Sequence, residues 1–133
     1  MKKNLIKILK KEFNEEEENF LFAYLFGSLA QKTYSKSSDI DIAVYLNAEV
    51  ERHPFDIKID LYMRLSRALK RNDIDIVIMN QCKNIILLNR IITHGQVIHE
   101  KNKAVRSLRI EYEQKILHRA IDFKTQRKMA MES

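Results

Sequence analysis

Four residues in this 133-residue chain stand at a spacing that suits phosphate chemistry. Gly27 and Ser28 close the apolar run Phe20 to Phe26, and after a ten-residue spacer Asp39 and Asp41 open the next one. Gly27 admits a turn that a Cβ would resist. Ser28 is a good N-cap for a short helix through Leu29, Ala30 and Gln31. A strand, a tight turn and a helix start aim free N–H groups and a hydroxyl at one point, a setting for an anion such as phosphate. Asp39 and Asp41 alternate along a strand, so both carboxylates leave one face, with Cα atoms roughly 7 Å apart. Two hard oxygen ligands beside a phosphate cradle equip a site for Mg²⁺-assisted phosphoryl transfer.

The elements that must position these groups follow from periodicity. Lys2 to Glu18 reads as an amphipathic helix with Leu5, Leu9 and Phe13 on one stripe. Its acidic end opposes the helix dipole and is expected to fray or turn there. Asn19 to Phe26 and Asp39 to Leu46 read as the first two strands. In the second, Ile40, Ile42, Val44 and Leu46 face a core, while Asp39, Asp41, Ala43 and Tyr45 face a cleft. Asn47 to Phe55 reads as a polar connection in which His53 is a surface residue. Asp56 to Arg71 reads as a helix, Asn72 to Asn80 as a third strand, and Ile85 to His94 as a short apolar helix ended by Gly95. Gln96 to His99 reads as a short fourth strand. Lys101 to about Met129 reads as a helix of ~40 Å, longer than a small sheet needs, with Val105, Leu108, Tyr112, Ile116, Ala120 and Phe123 as its stripe and Leu117 and Ile121 widening it. Its far end is expected to meet a partner or a second copy of the chain. The class is α/β (α+β): one domain over residues 1–133, with a small mixed sheet of about four strands, flanking helices and a long C-terminal helix.

Gly27-Ser28, the ten-residue spacer and Asp39-Ile40-Asp41, together with Ala30, Ser38 and the apolar run Ile42 to Val44, carry a resemblance. The chain resembles the minimal nucleotidyltransferases, the single-domain branch of the DNA polymerase beta-like superfamily. It departs from the family's usual pattern at Lys32, where a glycine is frequent. The resemblance implies a polymerase beta-like fold with the fourth strand antiparallel at the sheet edge. It also implies a third carboxylate on a neighbouring strand. Asp75 matches by its place before an apolar run; Asp73 shares its face and is the alternative, with a solvated strand start as its simpler reading.

The same resemblance implies a reaction. Asp39, Asp41 and Asp75 are then the catalytic and metal-binding residues, and Gly27 and Ser28 the nucleotide-binding ones. The cofactor is Mg²⁺, the donor substrate ATP, and the product an AMP ester of a hydroxyl. Minimal nucleotidyltransferases are often antitoxins paired with a HEPN ribonuclease toxin, which they silence by placing AMP on a tyrosine. The expected partner is therefore a HEPN-type toxin, with a homo-oligomer through the last helix as a further contact. A binding-only antitoxin with a silent site is the alternative, and a small-molecule transferase fits less well in a chain this short.

Composition narrows the field further. Hydrophobic residues make up 45% and charged residues 32%, the balance of a folded water-facing domain. The lone cysteine, Cys82, excludes an internal disulfide within the chain and any multi-cysteine zinc motif. With no membrane-length apolar run and no signal-peptide pattern at the start, a cytoplasmic protein is expected. From Lys101 onward nine Lys or Arg stand against four Asp or Glu, so this segment holds +5 of the net +6. No nucleic-acid-binding signature accompanies that charge, and direct nucleic-acid binding is not expected. His94, His99 and Cys82 lack partners at catalytic or metal spacing and read as structural or surface groups.

Overall fold

In a computed structural model, residues 2–16, 18–27 and 39–132 are described. Four helices and four strands follow in the order α1 (Lys2–Glu15), β1 (Phe20–Phe26), β2 (Ile40–Leu46), α2 (Pro54–Leu69), β3 (Ile74–Ile78), α3 (Ile85–His94), β4 (Gln96–Glu100) and α4 (Lys103–Glu132). A short 3-10 turn, Met79–Gln81, follows β3. The sheet order is β3-β2-β1-β4. Only the β2–β3 pair is parallel; β1 runs antiparallel to both β2 and β4. The sheet is therefore mixed, with β4 antiparallel at one edge as expected.

Both sheet faces are buried. Leu9 and Phe13 of α1 and Leu61 and Leu65 of α2 cover the face that carries Ile40, Ile42 and Val44. Leu88 and Ile91 of α3 and Ile116 and Ala120 of α4 cover the other, against Phe22, Tyr24 and Ala43. Fully burying each Leu, Ile, Val or Phe among these contributes roughly 1.5–3 kcal/mol. The Ala43 face of β2 thus packs a second core and is open only at its Asp end, a narrower cleft than alternation along β2 alone suggests. Alternation along β1 is broken by a bulge between Phe20 and Phe22. Leu21 and Phe22 both turn to the second core, and the phase then recovers. A second bulge in β4, opposite Ala23 and Tyr24, sends neighbouring Ile98 and His99 to the first core. There His99 stacks on Phe13 at 5.5 Å.

Two element bounds differ from the sequence reading, one beside a long-range ion-pair cluster and the other through a local cap. α1 stops at Glu15, where Arg64 of α2 gathers Glu15 (2.8 Å) and Glu16 (2.7 Å). The cation thus offsets the acidic helix end. α2 begins at Pro54, with His53 as its N-cap accepting the Phe55 N–H at 3.1 Å. Proline at the first helical position loses no needed donor, so the helix starts two residues before Asp56. On the other face, Tyr24 donates to Glu113 at 2.6 Å. Arg109 donates to both Glu113 and Glu100 at 2.6 Å, which fastens α4 to β1 and β4.

α4 extends to Glu132, but its burial ends at Ala120. Thirty residues at 1.5 Å each make ~45 Å, while a seven-residue strand spans ~23 Å. Ile121 and Phe123 of the expected stripe are consequently exposed, and Leu108 and Leu117 are exposed within the packed part of the helix, where Val105, Ile116 and Ala120 form the buried face. No described helix is long and apolar enough to cross a membrane.

Candidate functional site

Parallel pairing brings the starts of β2 and β3 to the same side of the sheet. Asp41 lies directly opposite Asp75 in that register, about one strand spacing of 4.8 Å away. On its other side Asp41 pairs with Phe26, the last residue of β1. Gly27 follows at φ +74°, a left-handed conformation. A Cβ on Gly27 would fall on the Asp41 Oδ2 and within 3.2 Å of its Cγ. Glycine is required here twice: for its backbone angle, and for the space into which the Asp41 carboxylate reaches.

Electrostatics describe the same cluster. Burial pushes the Asp41 carboxyl above its ordinary range, and the charges of Asp75 and then Asp39 push it further. Asp41 is half-buried, whereas Asp39 and Asp75 are exposed. Among the described residues, the influences on Asp41 are burial, Asp75 and Asp39, none of them a cation. Three neighbouring carboxylates, two of which raise the cost of ionising Asp41, offer hard oxygen donors and excess negative charge, a donor set suited to Mg²⁺. Among the described residues, no three carboxylate, imidazole or thiol groups already converge at ligating distance.

Asp73 is placed differently. Its carboxylate takes two hydrogen bonds from Arg71, which hold its pKa below the ordinary range. It precedes β3 and exerts no resolved influence on Asp41. Of the two third-carboxylate candidates, Asp75 is the one brought to Asp41. Ser28, Ala30, Lys32 and the expected helix start lie outside the described residues.

Beside Asp75 a cleft of about 390 Å³ runs along β3, walled by His53, Phe55 and Lys58 from the start of α2. Sequence reasoning missed these residues. The available signal was His-Pro at a helix start, since the N-cap anchors the first turn of α2 against the neighbouring strand.

A mixed sheet with acidic residues opening two parallel strands, crossed by a long C-terminal helix, is the polymerase beta-like nucleotidyltransferase frame. The family described as "Polymerase beta, Nucleotidyltransferase" matches residues 3–104. The chain belongs to that family and is a nucleotidyltransferase. Comparison with curated protein sequences gives no significant match. Among solved structures, a toxin–antitoxin with AMP-PNP is similar at a TM-score of 0.72 and 21% identity, over 96% of this chain and 95% of the other. A complex of tri-AMPylated Shewanella oneidensis HEPN toxin with MNT antitoxin is similar at a TM-score of 0.69 and 20% identity, over 99% and 97%. The toxin–antitoxin MntA-HepT gives 0.67 and 19%, over 98% and 96%. At these identities the likeness is one of fold.

Proposed function

We propose that this chain is an antitoxin that transfers AMP from ATP to a hydroxyl, a tyrosine of a HEPN-type toxin. The observation that carries the chemistry is Asp41 facing Asp75 across the parallel pair, in space that Gly27 leaves free. The fold it shares with the MNT antitoxin complexed with a tri-AMPylated toxin supports the choice of partner and acceptor. Such a reaction belongs in the cytoplasm, where ATP is at hand.

Asp39, Asp41 and Asp75 would hold Mg²⁺, and Gly27 and Ser28 the β- and γ-phosphates. Bound there, the metal supplies positive charge that offsets what develops on the triphosphate as pyrophosphate leaves. Asp75, the exposed member, accepts the proton of the attacking hydroxyl. The hydroxyl oxygen forms a bond to the α-phosphorus, and the bond from that phosphorus to the bridging oxygen breaks. Its electron pair departs with pyrophosphate, and the proton passes from Asp75 to water. Asp41 must be ionised to bind a cation, so activity falls as pH drops through its raised pKa.

The test is transfer of ³²P from α-labelled ATP in the presence of a co-expressed HEPN partner and Mg²⁺. Label on a partner tyrosine with wild type, and none with Asp39→Asn/Asp41→Asn, is the expected result. A complex that neutralises the toxin with no label in either case would leave only binding as the antitoxin's action.

A further inference from the structure

β3 is an edge strand, and its outer side opens onto the cleft that ends at Asp75. The Ile40 N–H donates to the Asp73 C=O at 3.0 Å. Backbone groups alternate in direction along a strand. Asp73, Asp75 and Val77 therefore turn their polar groups toward β2, while Ile74, Ile76 and Ile78 turn theirs outward. Among the described residues, no hydrogen bond reaches the N–H or C=O of Ile76 or the N–H of Ile78. A free edge of this kind invites another chain, and folded proteins usually shield it with charge, proline or a covering segment. β3 has no proline, and its one charged residue is Asp75, part of the candidate site.

We infer that the edge of β3 is the acceptor-binding surface, and that an extended peptide segment of the acceptor protein docks there as a fifth strand. The inference rests on the transfer reaction proposed above and names how its substrate is held. Three features select a peptide. First, Ile76, which lines the cleft and is 3% exposed, keeps a donor and an acceptor unbonded among the described residues, the bonding of strand addition once a guest displaces the side chains at the rim. Second, Asp75 to Ile78 spans ~10 Å at 3.3 Å per residue, room for about four extended residues. Third, the far wall is apolar and cationic: Phe55 is 60% exposed at the rim, with Lys58 one helical turn on. Strand pairing fixes the register of the guest, which holds one hydroxyl-bearing side chain beside Asp75 and keeps its neighbours away.

The test uses the whole chain with α-labelled ATP, Mg²⁺ and a pool of random decapeptides with tyrosine at a fixed central position. Two further pools carry N-methyl groups, one on the residues adjacent to tyrosine, the other on the residues two removed. Strand addition uses alternate amides, so one methylated pool is expected to lose labelling at least tenfold and the other to keep it. Phe55→Asp is expected to raise the KM for the unmethylated pool about tenfold. Equal labelling of both methylated pools would overturn the inference. So would a Phe55→Asp effect confined to the KM for ATP, which would make the cleft a nucleotide site. Pyrophosphate release from ATP without label on any peptide would also overturn the docking mode while leaving the transferase chemistry standing. Absence of both label and pyrophosphate, with the HEPN partner also present, would instead remove the proposed reaction on which it rests.

Discussion

At the scale of single residues, the candidate site sets stability against the proposed chemistry at Asp41. An acid whose pKa is raised by folding binds its proton more tightly in the native state. Its contribution is therefore most favourable below the ordinary value of 3.8 and declines as pH rises through the native pKa. At neutral pH the ionised group opposes folding. Asp41→Asn is expected to raise the melting temperature in EDTA, while cutting AMP transfer by ~10³-fold. Calorimetry against pH checks the sign: the wild-type and variant curves should converge toward pH 4. Mg²⁺ at ten times its Kd should stabilise wild type by about 1.4 kcal/mol and the variant by much less. Gly27→Ala tests the space beside Asp41. It incurs about 1–2 kcal/mol for the left-handed backbone, and it displaces the carboxylate, with a loss of ~10²-fold in transfer rate. Denaturant titration beside steady-state kinetics measures both.

At the scale of elements, the attachment of α4 depends on charge as well as packing. Arg109 is 15% exposed and bonds two carboxylates at once. Burial alone would raise the Glu100 carboxyl, but hydrogen bonds from Arg109 and Arg106 hold it below its ordinary 4.5. A depressed acid contributes fully above its unfolded value. That contribution is lost as pH falls from about 4.5 through the native pKa. Arg109→Met is expected to cost about 2–3 kcal/mol at pH 7. It should also flatten the acid limb of the stability curve. Circular dichroism melts between pH 3 and 7 would decide; an unchanged acid limb would show that Glu100 draws little from Arg109. This acid loss runs opposite in sign to the effect of Asp41, so the Asp41→Asn comparison should be made between variants at matched pH.

At the scale of the whole molecule, the body and the far end of α4 are energetically separate. Residues 121–132 bury no side chain among those described, and Phe123, Met129 and Met131 stand exposed amid basic residues. Removing residues 123–133 is expected to shift the melting temperature by less than about 2 °C, because surface losses are usually within 0.5 kcal/mol. It should weaken assembly with a HEPN partner or with a second copy, read by size-exclusion chromatography with light scattering. Unchanged assembly would free this segment of any role in contacts.

Local spacing determined much of this protein. Apolar runs and period-two and period-3.6 patterns located the helices and strands of the described residues, because each element declares its buried face within its own residues. Gly27, Asp39 and Asp41 stood out as candidates for the same reason, since a turn glycine and an alternating acid pair are local features. Tertiary structure decided what pairs across distance. The parallel register that sets Asp75 against Asp41 depends on which strands become neighbours. The bulge in β1, the gathering of Glu15 and Glu16 by Arg64, and the free edge of β3 have the same origin. Gly95 gives the contrast in one residue: it ends α3 as its place in the sequence suggested, and its backbone there is extended. What it supplies there is room, since a Cβ would collide with the Ile91 carbonyl oxygen. Sequence periodicity reports which side of an element is buried. It carries no term for the partner that buries it, and strand order, register and long-range charge pairing are properties of the partner.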